Sequence, residues 1–203
     1  MKKCLIYIYL LLLTSLCCLQ AGAVSSEIRS LSVSDGLPDL VINTIYKDSK
    51  GYVWMGTNTS VERFDGIRLE HYMVEGSNEN LKRVFALVEM PGNELWVGTG
   101  MGLFRLADDA EKLERLAPEM ITSGVHAFCK LGDVLYVGTE KGLYVYKGGV
   151  FEHVLVDKNI FSRANFVTGM VEGENGILWL STMGGLKSLR LSDQSITSFS
   201  DKL

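Results

Sequence analysis

The chain has 203 residues, 47% of them hydrophobic and 22% charged, with a formal net charge of −4. That composition suits a folded protein and sets aside disordered, collagen-like and disulfide-scaffold classes. The acidic balance and the lack of a basic cluster make nucleic acid and anionic membrane poor partners.

Met1-Lys2-Lys3 is a positive start, residues 4–19 are almost wholly apolar, and Ala21-Gly22-Ala23 fits an A-x-A cleavage site. Together they read as a secretory signal over residues 1–23, with Val24 opening the exported chain. An uncleaved anchor and a lipidated Cys18 are the rival readings. After cleavage no second apolar run follows, so no membrane insertion is expected. Cys4, Cys17 and Cys18 leave with the signal. Cys129 remains, in a strand-like setting that reads as a small buried residue. No cysteine spacing for a metal is present.

Four segments then repeat one pattern. They are Gly51-Tyr52-Val53-Trp54-Met55-Gly56-Thr57, Asn93-Glu94-Leu95-Trp96-Val97-Gly98-Thr99, Asp133-Val134-Leu135-Tyr136-Val137-Gly138-Thr139 and Gly176-Ile177-Leu178-Trp179-Leu180-Ser181-Thr182. The threonines stand 42, 40 and 43 residues apart, and an aromatic precedes each by three. A period near 40 built from alternating, β-branched and aromatic residues predicts propeller blades rather than helical repeats. The predicted fold is all-β: a β-propeller fragment of about four four-stranded blades. The repeats fall near residues 41–73, 81–116, 124–156 and 165–200 of the exported segment 24–203.

In the second repeat the strands are expected near 82–90, 94–99, 103–106 and 112–116. Gly102, Gly142 and Gly185 suit a left-handed position in the turn after the second strand. Ser60 takes that place in the first repeat, so its turn is expected to differ locally. Residues 28–33 precede the first repeat as residues 196–200 close the fourth, and are expected to form an extra N-terminal strand. Trp54, Trp96, Tyr136 and Trp179 recur at one strand position and read as packing between blades. The glycine of each Gly-Thr pair reads as relief of crowding near the axis, and the threonine as a hydrogen-bonding group.

The stretches Leu31-Ser32-Val33-Ser34-Asp35-Gly36-Leu37-Pro38, residues 41–57 and Arg63-Phe64-Asp65-Gly66 resemble the two-component regulator propeller repeat. Departures are Ser60-Val61 for Gly-Leu, Tyr136 for Trp and Ser181 for Gly. The resemblance implies the periplasmic sensor region of a hybrid two-component system of the kind common in gut Bacteroidetes. In that family the propellers precede an immunoglobulin-like domain, a membrane helix, a kinase and receivers, and the sensed ligands are glycans or their breakdown products. A family propeller closes with about seven blades, so four blades imply an open arc and a truncated receptor.

No catalytic, metal-binding or cofactor pattern is found, and His71, His126 and His153 all sit in strand-like surroundings. The chain reads as a non-enzyme. The candidate ligand-binding residues are Asn58, Thr59, Met101, Glu140, Lys141 and Met183, in the turns after the second strands. An oligosaccharide is the expected ligand, and self-association through uncovered blade faces is expected. The alternative is a free-standing periplasmic scaffold that binds protein.

Overall fold

The computed structural model describes residues 30–74 and 81–199. The chain divides into Met1–Leu31 and Ser32–Leu203, and all sixteen described strands belong to the second unit. The expected signal, residues 1–23, lies outside the described residues.

The first repeat gives β1 (Thr44–Lys47), β2 (Val53–Gly56), β3 (Val61–Phe64) and β4 (Leu69–Val74). The second gives β5 (Val84–Met90), β6 (Glu94–Thr99), β7 (Gly102–Leu106) and β8 (Lys112–Arg115). The third gives β9 (Val125–Leu131), β10 (Val134–Thr139), β11 (Gly142–Lys147) and β12 (Val150–Val154). The fourth gives β13 (Val167–Glu172), β14 (Ile177–Thr182), β15 (Gly185–Arg190) and β16 (Ile196–Ser198). Each repeat is an antiparallel meander, so every strand pairs with its sequence neighbour.

Three apolar clusters lie between successive blades. In the first, Trp54, Val61 and Tyr72 meet Leu87, Leu95, Val97 and Phe104. In the second, Val88, Met90 and Trp96 meet Leu135, Val137 and Tyr144. In the third, Cys129 and Tyr136 meet Leu178, Leu180 and Leu189. The repeated aromatic therefore fills the gap toward the following blade. Trp54 and Trp96 are 5% and 3% exposed, and Tyr136 is half-buried. Trp179 holds the same place on the fourth blade and belongs to none of the three clusters. It is half-buried beside Phe199, with ring centroids 5.2 Å apart, and its cross-strand neighbour Val171 is 61% exposed.

The Gly-Thr pair has two separate tasks. Gly98 lies against the first residue of the next inner strand: a Cβ there would stand 2.8 Å from Val125 Cγ1 and 2.9 Å from its carbonyl oxygen. Gly56 meets Val84 and Gly138 meets Val167 in the same way. The threonine ties its own turn. Thr99 Oγ1 donates to the Gly102 carbonyl at 3.0 Å and accepts the Met101 N–H at 3.0 Å. Thr139 and Thr182 repeat both bonds in their turns. Gly102 sits at φ 120°, a conformation that a side chain would strain. In the first blade Thr57 makes the same two bonds, to the Ser60 carbonyl and from the Thr59 N–H, both at 3.1 Å, but Ser60 lies outside the left-handed region and its own N–H adds a third bond to Thr57 Oγ1 at 3.0 Å, so that turn is locally different, as expected from its sequence. Because Thr99 is fully buried, Thr99→Val strands the groups it serves. A loss of about 1–2 kcal/mol is expected in urea unfolding, and a smaller one for Thr182→Val, since Thr182 is only half-buried.

The innermost strands line up in chain order, β1 against β5, β5 against β9 and β9 against β13. Among the described residues no contact of similar extent joins the first blade to the fourth. The blades form an open arc.

Two expectations are corrected. Sheets one and two are not separate: β4 and β8 pair in parallel at Met73–Lys112 and Val74–Leu113, giving one eight-stranded sheet and two four-stranded ones. The β3–β4 ladder ends at Tyr72, so the backbone of residues 73–74 finds its partners on the next blade's outer strand. The expected N-terminal strand over residues 28–33 is not seen in its described part. Val33–Asp35 is a 3-10 turn instead. The Ser32 hydroxyl and N–H both bond the Asp35 carboxylate, at 2.8 and 2.9 Å, which bends the chain away from an extended path.

Candidate functional site

The turns that carry the six candidate ligand residues all lie at one end of the arc. The registers Thr44–Gly56, Val84–Thr99, Val125–Thr139 and Val167–Thr182 place each turn beside the start of its blade's innermost strand. Three of the six serve the fold. The Asn58 carbonyl accepts the Arg83 N–H at 2.8 Å and its side-chain oxygen accepts from Asn43 at 3.1 Å. The Thr59 carbonyl accepts the Leu81 N–H at 3.1 Å. Met101 packs against the first apolar cluster, and its carbonyl accepts from Arg115 at 2.9 Å. Glu140, Lys141 and Met183 are exposed. Lys141 Nζ donates to Thr122 Oγ1 at 3.2 Å, and the Met183 N–H donates to the Phe166 carbonyl at 3.0 Å.

A second set of residues at this end was not singled out from the sequence. Phe85, His126 and Thr168 each occupy the extra position of an irregularity in the innermost-strand ladder. Asn43 holds the matching place before β1, its N–H bonded to the Gly56 carbonyl at 2.8 Å. One residue of this row comes from each blade. The Phe85 and His126 rings lie 4.1 Å apart, and His126 and Phe166 lie 4.7 Å apart. His126 Nε2 is 3.2 Å from Glu140 Oε1. Arg83 joins the row from the connection into β5: its Nε donates to Asn43 Oδ1 at 3.0 Å and its guanidinium lies 5.5 Å from the centre of the Phe85 ring.

The backbone at this point is held in an unusual form. Lys82 and Arg83 are consecutive non-glycine residues at φ 50° and 73°, a conformation costing roughly 1–3 kcal/mol at each residue. Neighbours impose it: Arg83 N–H bonds the Asn58 carbonyl at 2.8 Å, and the Arg83 carbonyl accepts from Gly100 at 3.0 Å. Gly100 is required here, since a Cβ would fall 2.2 Å from the Lys82 carbonyl oxygen.

Elsewhere, a groove of about 510 Å³ between blades two and three is bordered by Trp96, Tyr146 and Phe151 with Glu94, Arg105 and Lys130. Between blades one and two, burial and the Glu70 carboxylate push the Tyr72 hydroxyl up to about 12. Cys129 is half-buried rather than buried, and desolvation raises its thiol above the usual range, which favours the inert neutral form. No group of three or more metal-ligating side chains occurs among the described residues. Among the same residues, no helix is long and apolar enough to cross a membrane.

The family model of the two component regulator propeller matches residues 36–59. This segment is a two-component regulator propeller repeat. It spans the turn at Gly36, all of β1 and β2, and the Thr57 turn. No curated protein sequence matches the chain. Among solved structures, the chain is similar to the extracellular domains of two B. thetaiotaomicron proteins assigned as hybrid two component systems. One is 22% identical at a TM-score of 0.71, with 84% of this chain and 26% of that domain covered. The other is 22% identical at 0.67, with 79% and 22% covered. The chain thus spans only about a quarter of those domains. A third similar structure is virginiamycin B lyase from Staphylococcus aureus, 18% identical at 0.62, covering 80% of this chain and 57% of the lyase. These likenesses establish the propeller fold.

Proposed function

We propose that this chain is an exported propeller segment of a two-component sensor, that it acts in the periplasm behind the signal of residues 1–23, and that its ligand is a saccharide. The observation that carries this reading is the regulator propeller repeat at residues 36–59. The likeness to solved extracellular domains of hybrid two component systems supports it. In this role the segment adds blades to a longer array and does no chemistry itself; a kinase elsewhere in the receptor transmits the signal. The blade end bearing Glu140, Lys141, Met183 and the inner-strand row is the ligand-facing end. Further blades cover the Trp179 face of the fourth blade and the Ile45 face of the first. Without them the chain associates with itself through these apolar surfaces.

The reading is tested with the purified exported chain and a panel of oligosaccharides. At least one saccharide should raise the thermal midpoint, and Glu140→Ala with Lys141→Ala should abolish the rise. If no saccharide acts and the chain instead captures a protein partner from periplasm, it is a scaffold and the sensor reading fails.

A further inference from the structure

Among the described residues, the charge of Arg83 in the inner-strand row has no acidic partner. Arg83 is fixed by its Nε bond to Asn43 and by the Phe85 ring, and neither of its terminal nitrogens donates to any described residue. A guanidinium held by one edge presents its other edge as a fork that matches a carboxylate or sulfate with two parallel hydrogen bonds. The strained backbone at Lys82 and Arg83 is what sets this direction. Strain maintained by surrounding bonds is a mark of functional positions.

Beside the fork, Phe85, His126 and Phe166 form a run of rings in contact across three blades. All three are half-buried, so part of each remains open to solvent. Such a run offers an apolar surface to the face of a ring. At its far side His126 engages Glu140 through Oε1, and Oε2 remains available to accept from hydroxyls. Reading outward from the arginine, the order is anion fork, ring platform, hydroxyl acceptor.

We infer that the row of Arg83, Phe85, His126, Phe166 and Glu140 binds an acidic sugar, a hydroxylated ring bearing a carboxylate or sulfate. This rests on the saccharide-sensing reading above and names its ligand class and its site. The guanidinium takes the anion, the rings take the C–H face of the sugar, and Glu140 takes the hydroxyls.

The test is a titration of the exported chain with D-glucuronate, D-glucose and acetate at constant pH and ionic strength, read by the NMR signals of the His126 ring. Glucuronate should shift them with an affinity about tenfold or more above that of glucose, as one charge-assisted fork is expected to give. Acetate, which has the charge without the ring, should bind more weakly than glucuronate. Arg83→Gln should remove the preference for glucuronate while the chain stays folded, with unchanged amide NMR dispersion, and Phe85→Ala should weaken both sugars. Substituting glucose 6-sulfate separates sulfate from carboxylate as the natural anion. Equal binding of glucuronate and glucose, no shift at His126, or an unaltered preference in Arg83→Gln would overturn the inference. A neutral oligosaccharide that binds regardless of Arg83 would do so while leaving the sensing role intact.

Discussion

Trp96→Ala is expected to cost about 3–5 kcal/mol in denaturant unfolding, while Lys141→Ala stays within about 0.5 kcal/mol. Trp96 is 3% exposed and fills the second interblade cluster, with the Tyr146 ring 4.7 Å and the Phe151 ring 5.9 Å away. Removing it opens a cavity between two blades whose backbones are fixed by their own ladders and cannot close the gap. Lys141 lies in an exposed turn, and its side chain makes one bond to a solvent-facing threonine. Equal losses in the two variants would mean that the interblade clusters do not hold the arc together.

The Gly-Thr glycines should be nearly as sensitive, in the opposite sense. Gly98→Val forces a branched side chain against the Val125 backbone and is expected to cost about 3 kcal/mol or more by overpacking. Ser181 stands at the matching position on the fourth blade, where its hydroxyl bonds Thr168 Oγ1 at 2.8 Å near the surface. Ser181→Val should therefore cost less than half as much. The contrast, read in the same unfolding experiment, reports whether a following blade lies on the glycine.

Much of the fold is legible in the sequence because each blade is locally determined. The alternation in residues 94–99, the glycine at 102 and the spacing of the threonines all point to the same meander. The fixed aromatic also signals interblade packing, though only the structure shows that Trp54 and Trp96 face the following blade. What the sequence hides is pairing that depends on distant backbone. Two residues of β4 join β8 with no signature of their own. Residues 28–33 look extended by analogy with the end of the fourth repeat, yet the Ser32–Asp35 capping pair turns Val33–Asp35 into a 3-10 turn. The inner-strand row is hidden for a similar reason. A ladder irregularity at Phe85, His126 or Thr168 leaves no compositional trace, and the approach of Arg83 to Asn43, 40 residues earlier, exists only once two blades have docked. The turn residues Asn58, Thr59 and Met101 share that end of the blades, but their backbone carbonyls are already engaged, those of Asn58 and Thr59 by the connection into the second blade and that of Met101 by Arg115.

The most direct test of the open arc is the shielding of Trp179. One variant keeps Trp179 alone (Trp54→Phe and Trp96→Phe) and another keeps Trp96 alone (Trp54→Phe and Trp179→Phe). Acrylamide quenching is then measured on dilute, monomeric protein. Trp179 should be quenched strongly and emit at longer wavelength, because no blade covers its face, while Trp96 should be nearly inaccessible. Trp179 shielded as well as Trp96 in a monomer would mean that the first and fourth blades close on each other, contrary to the arc described here.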